Sequence, residues 1–195
     1  MDNRLQKIIA FWKETEKLKL IERIPCLSDR KRRENDAEHS WHLALMIMTV
    51  KDEIGINFDE LKALKLAIVH DLVEIYTGDS WPETEQEKNK KRQKEIISAD
   101  KLFSLLPADM QKEYYGLWQE YDEGKTIESK VVKALDKICY TLQVEVSNNK
   151  IVWRGTTEDI GSHSRRPYAL PYLEFNKELT NIFDHLDQEI ENKKK

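Results

Sequence analysis

Cysteine is scarce in this chain. Cys26 and Cys139 are the only two in 195 residues. They stand far apart and in no metal-binding pair spacing, so neither a disulfide framework nor a thiolate zinc cluster is expected and a reducing compartment is the default. Six glycines and five prolines are too few for a low-complexity tract, and none of them marks a linker that divides the chain. Long apolar runs are missing as well: nothing approaches eighteen consecutive apolar residues and no apolar leader follows Met1, so no membrane association is expected and the protein is expected to be cytoplasmic. Nor is there an excess of one charge sign, with 32 Lys and Arg against 36 Asp and Glu for a net charge of -4. That balance does not suggest a nucleic-acid surface. The basic runs Arg30–Arg33 and Lys88–Lys94 are short and mixed with acids, and a solvated face or a local phosphate site accounts for them.

The chain does have charge, at 35% of residues, and its apolar residues recur at spacings of three and four rather than in alternation. This predicts an all-α protein, a single domain over residues 1–195, long enough to bury a core without disulfides. Leu5, Ile8, Ile9 and Trp12 predict a first helix that fades toward Ile24 and is stopped by Pro25. After a charged loop, Asn35 or Asp36 is expected to cap a second helix, with Glu38 three residues after Asn35 in the manner of a capping box. Its apolar stripe is Leu43, Met46, Ile47, Val50 and Ile54; His39 lies on that stripe and His42 off its centre. Asp59 caps a third helix, predicted to run through His70, Asp71 and Glu74 to Gly78, with a stripe of Leu61, Leu64, Ile68, Leu72 and Ile75. Asp71 falls on this stripe where a leucine belongs. From Trp81 to Glu95 a polar stretch predicts a helix with an exposed first half, and Met110 to Tyr121 predicts another, closed by Gly124. Thr126 caps a helix with Val131, Val132, Leu135, Cys139, Leu142 and Val146 on its buried face, interrupted by Asp136. A loop around Gly155, Gly161 and Pro167 leads to a last helix over about 168–190.

Three predicted helices thus each carry an ionisable group among core residues: His39, then His70 and Asp71, then Asp136. A buried charge needs a strong partner. One divalent cation satisfies all four, since two imidazoles and two carboxylates suit manganese, iron, cobalt, nickel or zinc and leave positions open on a six-coordinate ion. Such an ion acidifies water and polarises a phosphoryl oxygen, which is what hydrolysis of a phosphate ester requires. Glu74, one turn beyond His70, is placed to orient the water or move a proton. Buried ion pairs of Asp71 and Asp136 with arginines such as Arg33 are the competing reading, and periodicity leaves the two open.

The motifs favour the first. Arg33-Xaa-Asn35 followed by Ala37-Glu38-His39-Ser40-Trp41, then His70-Asp71-Leu72-Xaa-Glu74 with Thr77-Gly78-Asp79, then Leu135-Asp136-Lys137, resemble the HD-domain metal-dependent phosphohydrolases, and within them the 5'-deoxynucleotidase branch, from about residue 18 to 140. The resemblance implies an all-α fold, a homodimer, and removal of phosphate from small-molecule deoxyribonucleoside 5'-monophosphates with a divalent cation such as cobalt or manganese. It implies His39, His70, Asp71 and Asp136 as metal ligands, Glu74 as catalytic acid or base, and Arg23 as the residue that orients the phosphate, its guanidinium fork meeting two oxygens at once. It also implies Asp79 as a contact to the sugar, with Ser80, Trp81 and Pro82 beside it. Where that branch carries a tryptophan next to the phosphate arginine this chain has Ile24, so weaker discrimination of deoxyribose from ribose is expected. Two alternatives stand beside this reading: hydrolysis of another phosphate ester such as an alarmone, a cyclic dinucleotide or a phosphorylated metabolite, and a nonenzymatic helical protein with a structural ion. Trp118 and Tyr121 are expected to be exposed and available to a dimer interface.

Overall fold

The computed structural model describes residues 2–193 apart from 83, 149, 154–155 and 160–164. Its first helix, α1 (Asn3–Thr15), passes into a 3-10 turn (Glu16–Leu20) and then into strand β1 (Glu22–Cys26). The helix therefore ends well before Pro25, which lies within the strand. β1 pairs with β2 (Arg33–Asn35) on one side and with β3 (Lys150–Trp153) on the other, β3 pairs with β4 (Thr156–Asp159), and all pairs are antiparallel. The β1–β2 register shifts between Glu22 and Cys26, the interval that holds Pro25, a residue with no N–H to give to a ladder. These short strands were not legible in the apolar pattern, and they border a fold that is otherwise helical as expected.

Local signals set the helices. α2 (Asp36–Val50) begins at a complete capping box, in which Asn35 accepts the Glu38 N–H and the Glu38 carboxylate accepts the Asn35 N–H. Asp59 caps α3 (Glu60–Val69), Thr84 caps α5 (Glu85–Phe103), and Thr126 caps α7 (Ile127–Val146). α6 (Ala108–Glu123) closes on Gly124 in the left-handed conformation, φ 63°, where a residue with a Cβ is strained. The first half of α5 is exposed, as its composition predicts.

α7 lies at the centre. Val131, Val132, Ala134, Leu135 and Ile138 are all buried against Leu43 and Ile47 of α2 and Ala63, Leu66 and Ala67 of α3. The same cluster takes in Ala169 and Leu173 of α8 (Arg165–Leu173) and Leu179 and Phe183 of α9 (Lys177–Lys193). Burial of each such leucine contributes roughly 1.5–3 kcal/mol. A second cluster joins Phe11, Val69, Val73, Leu102, Phe103 and Trp118.

Four further expectations are corrected. The third helix does not run through to Gly78: α3 stops at Val69, residues 70–73 form turns, and a one-turn helix α4 (Glu74–Thr77) follows, ended by Gly78 at φ 72°. Its inward face is also different. Ala63, Leu66, Ala67 and His70 are buried, at the helical spacing of three, four and seven, whereas Leu61 and Ile68 are 65% and 49% exposed. Small alanines let α3 approach α2 and α7 closely, and a pattern read from large side chains misses them. The expected last helix over 168–190 is two helices, α8 and α9, separated around Asn176, which accepts the Leu179 N–H and donates to the Ile54 carbonyl. Finally, Trp118 is buried and Tyr121 half-buried, so neither is an exposed aromatic. Gly155 and Gly161, expected in a loop, lie outside the described residues.

Candidate functional site

Each element around α7 sends one or two polar groups to the same place. β1 supplies Arg23, β2 Glu34, and the first turn of α2 supplies Asp36 and His39. The turn that interrupts the third helix carries His70 and Asp71, and α4 opens with Glu74. α7 contributes Asp136 and Lys137. The break after Val69 matters: adjacent residues of a continuous helix diverge by about 100°, whereas in this turn the His70 Nε2 lies 2.9 Å from the Asp71 Oδ2.

The four expected ligands converge. His39 Nε2 is 3.1 Å from Asp136 Oδ1 and 4.0 Å from Asp71 Oδ2, and the two imidazole rings are 5.5 Å apart. Ligand-capable atoms of His39, His70 and Asp136 all lie within 4.8 Å of one another, as do those of Asp36, Asp71 and Glu74. The His70 Nδ1 faces the Ala67 carbonyl oxygen at 2.8 Å. That oxygen only accepts, so Nδ1 carries a proton and Nε2 is the nitrogen turned to the cluster, where burial is outweighed by Asp71 and the His70 pKa is raised. Both His39 nitrogens and the His70 Nε2 are buried without a hydrogen bond among the described residues. The two Nε2 atoms face carboxylate oxygens at distances that call for a proton or a cation between them, and a divalent cation fits this donor set.

Charge points the same way. Glu34, Asp36, Asp71, Glu74, Asp79 and Asp136 are grouped around Arg23, Lys91 and Lys137. Arg23 is the shared counter-ion: its Nη1 donates to Asp71 at 3.0 Å and to Asp36 at 3.3 Å, its Nε is 3.5 Å from Glu34, and its Nη2 is 3.8 Å from Asp136. One guanidinium does not neutralise this group. Burial pushes Glu34 up to about 7 and, with Asp71 adding to it, Asp36 up to about 8. Burial also acts to raise Asp136, but Lys137 at 2.7 Å, His39 and Arg23 outweigh it and hold the carboxyl well below its usual range. Asp71 is held low in the same way, with His70 and Arg23 overcoming burial. Burial brings His39 down to about 4, with Arg23 adding to the effect, so its imidazole is neutral and fit to ligate.

Glu74 is 5% exposed; its Oε1 accepts from Lys91 at 3.0 Å and its Oε2 has no hydrogen bond among the described residues. Burial first, then Asp71, raise its pKa well above the carboxylate norm in spite of Lys91. It lines a cavity of about 550 Å³ together with Arg23, His70, Asp71, Asp136 and the segment Asp79–Pro82. The cavity's other wall is aromatic: Trp81 lies 4.1 Å, centroid to centroid, from Tyr168 of α8 and 5.8 Å from Tyr140. The Ser80 carbonyl accepts from Lys91. Ile24 does not line the cavity. It packs with Val144 and Ile190 beside Tyr140, and reaches the wall only through Tyr140 and Trp81. His42 stacks on Trp41, away from the cluster, and Arg33 donates to the Arg23 carbonyl and pairs with Glu22 rather than with Asp71 or Asp136.

Residues that the sequence did not mark complete the site. Tyr121 donates to Asp136 at 3.3 Å and lies 4.8 Å, ring to ring, from His70. Lys91 sits in the lysine run read as a solvated face or a local phosphate site; its spacing of four from Glu95, 3.5 Å away, was the signal for Lys91 itself. Glu34 and Asp36 gave none, because their neighbours are polar.

The chain is similar to known proteins over much of its length. The HD domain family model matches residues 15–163. The chain is 37% identical over 112 residues to human 5'-deoxynucleotidase HDDC2, covering 57% of this chain and 53% of that protein. It is 33% identical over 144 residues to the Danio rerio protein of the same name, 73% of this chain and 68% of that one. The human match thus spans about half of that relative's length. Among solved structures, a predicted metal-dependent phosphohydrolase from Magnetospirillum magnetotacticum superposes with a TM-score of 0.81 at 30% identity, covering 98% of this chain and 96% of that one.

Proposed function

The chain belongs to the HD domain family, and we propose that it is a metal-dependent phosphohydrolase that removes phosphate from nucleoside 5'-monophosphates, deoxyribonucleotides among them. The observation that carries this reading is the convergence on one cavity of His70, Asp71 and Asp136, with His39 buried behind them 3.1 Å from Asp136, a buried carboxyl with an oxygen free of hydrogen bonds among the described residues, and a guanidinium. A structural ion alone needs neither of the last two.

His39, His70, Asp71 and Asp136 would hold the cation, cobalt or manganese being suited to the mixed donors. Such an ion supplies Lewis acidity, acidifying water and polarising a phosphoryl oxygen. The protein does the rest. Arg23 orients the phosphate: among the described residues its Nη2 has only the 3.8 Å contact with Asp136 and so keeps donor capacity for phosphoryl oxygens. Glu74 takes the proton that water loses as its oxygen bonds to phosphorus, and returns a proton to the 5'-oxygen as the P–O bond breaks. Asp79 accepts from a sugar hydroxyl, while the wall of Trp81, Tyr168 and Tyr172 offers the base an apolar face.

A metal-by-substrate screen tests this. Protein stripped and reloaded with single divalent ions should release phosphate from deoxynucleoside 5'-monophosphates, most with cobalt or manganese; release confined to phosphodiesters or alarmones would replace the substrate class. Elemental analysis should give one ion per chain, and His70→Ala and Asp136→Ala should each lose it; stoichiometric metal in both variants after chelation and reloading would show the ligand assignment to be wrong.

The homodimer, too, is part of this proposal, on a surface other than the one the aromatic residues suggested. Trp41, Leu45 and Met48 are 65%, 42% and 56% exposed on one face of α2, and Leu61 and Ile68 stand out on α3, which packs against it. Exposed apolar residues at this density mark an association surface. Light scattering should give a dimer mass for the wild type and a monomer mass for Met48→Glu with Leu61→Glu; a wild-type monomer at all concentrations would remove the claim.

A further inference from the structure

Several cations line the cavity, and all but one are engaged by an acid. Arg23 and Lys91 are tied to the carboxyl groups already described, Lys137 to Asp136, Arg92 to Asp122 at 3.0 Å, and Lys88 to Glu85 at 2.6 Å. Lys133 is the exception: among the described residues its ammonium has no ion pair and no hydrogen bond to an acid. The carboxylates nearest in its electrostatic surroundings, Asp136, Asp122 and Glu95, each pair with another cation.

The side chain is nonetheless fixed. Its Nζ lies 4.3 Å from the centroid of the Tyr121 ring and 5.9 Å from that of Tyr172. Its stem passes against Gly124, where even a Cβ would come within 3.1 Å of the Lys133 Cδ and Cε. A glycine that the chain already requires for its left-handed φ thus also makes room for the lysine. Burial, with Lys137 one turn along α7, lowers the Lys133 pKa. An ammonium braced between a glycine and two tyrosine rings and left without an anion is costly in isolation, and it is preorganised for an anion that the protein does not supply.

Tyr121 gives the direction. The ring that Lys133 covers carries the hydroxyl that donates to Asp136 and packs on His70, so the ammonium stands one tyrosine away from two expected ligands. Resting on the phosphohydrolase reading above, we propose that Lys133 is a second phosphate contact, which holds a phosphoryl oxygen on the side of the cavity opposed to Arg23. Arg23 comes from β1 and is shared among four carboxylates, while Lys133 comes from α7 and brings a charge that is not divided.

The test is titration of metal-loaded protein with inorganic phosphate, followed calorimetrically, in wild type, Lys133→Met and Lys133→Arg. Methionine keeps the stem packed against Gly124 and the tyrosines and removes only the charge. Loss of one charge-assisted contact should raise the phosphate dissociation constant by about 10–100-fold in Lys133→Met, with metal content at parity and arginine recovering part of the loss. Competitive inhibition by a deoxynucleoside, which has no phosphate, should stay unchanged. A phosphate constant within about twofold of wild type in Lys133→Met overturns the proposal. So does a loss that saturating metal restores, because the ammonium would then act through the ligands. Should Lys133→Met fail to fold, Lys133→Gln decides by the same comparison. A wild type that binds phosphate but hydrolyses no nucleotide sinks the nucleotidase reading while leaving this contact to stand or fall on the titration.

Discussion

Glu74→Gln is expected to lower kcat/KM for a deoxynucleoside 5'-monophosphate by about 10²–10⁴-fold, the usual weight of a placed acid or base, and to leave metal at one ion per chain. The variant keeps the volume of the side chain and an oxygen for Lys91, so the buried opening of α4 stays filled. It removes the one carboxyl of the cavity that combines deep burial with an oxygen free of any hydrogen bond among the described residues and a pKa raised well above the carboxylate norm. Lys91 tunes that group. Its ammonium favours the Glu74 carboxylate, so Lys91→Met should raise the Glu74 pKa further and displace the ascending limb of the pH profile to higher pH. Full activity in Glu74→Gln, or an unmoved limb in Lys91→Met with activity retained, would remove Glu74 from the proton path.

The parts of the site that were legible in the sequence are those where a polar residue interrupts a run of large apolar ones. His39 ahead of Leu43 and Ile47, and Asp136 beside Leu135 and Cys139, stood out for that reason, and the structure buries both. Asp71 was singled out by a wrong route. The stripe that contained it is partly solvent-exposed, because the buried face of α3 is built from Ala63 and Ala67, whose small side chains carry little weight in a pattern of large ones. What brings Asp71 inward is the turn after Val69, and a turn without proline or glycine leaves no periodic signal. Glu34, Asp36 and Tyr121 in their site roles, and Lys91 in its pairing with Glu74, were illegible for another reason. Each acts through a neighbour distant in the chain, as in the approach of Arg23 on β1 to Asp36 on α2 and to Asp71 beyond α3. The strands that place Arg23 are too short to alternate, and their pairing joins residues near 25 to residues near 151.

Arg23→Ala is expected to have two separable effects, because the guanidinium serves both the protein and the proposed substrate. Arg23 is the counter-ion shared by Glu34, Asp36, Asp71 and Asp136, and its side chain is only 11% exposed. Breaking a buried ionic group by removing one partner costs about 3–5 kcal/mol, which for a chain of this size is roughly 6–20 °C in Tm. A divalent cation takes over neutralisation of Asp71 and Asp136, so the deficit should shrink when the protein is loaded, and the rise in Tm on adding metal should be larger in Arg23→Ala than in the wild type. Activity should not follow. With metal saturating and stability largely regained, kcat and kcat/KM should both remain depressed, since no remaining group takes the place of the Arg23 fork in balancing the charge that grows on the phosphoryl oxygens in the transition state. Equal Tm shifts on loading in the two proteins would mean that Arg23 and the ion do not share the carboxylates. Recovery of kcat along with stability would confine Arg23 to the architecture and pass the phosphate to other groups, Lys133 first.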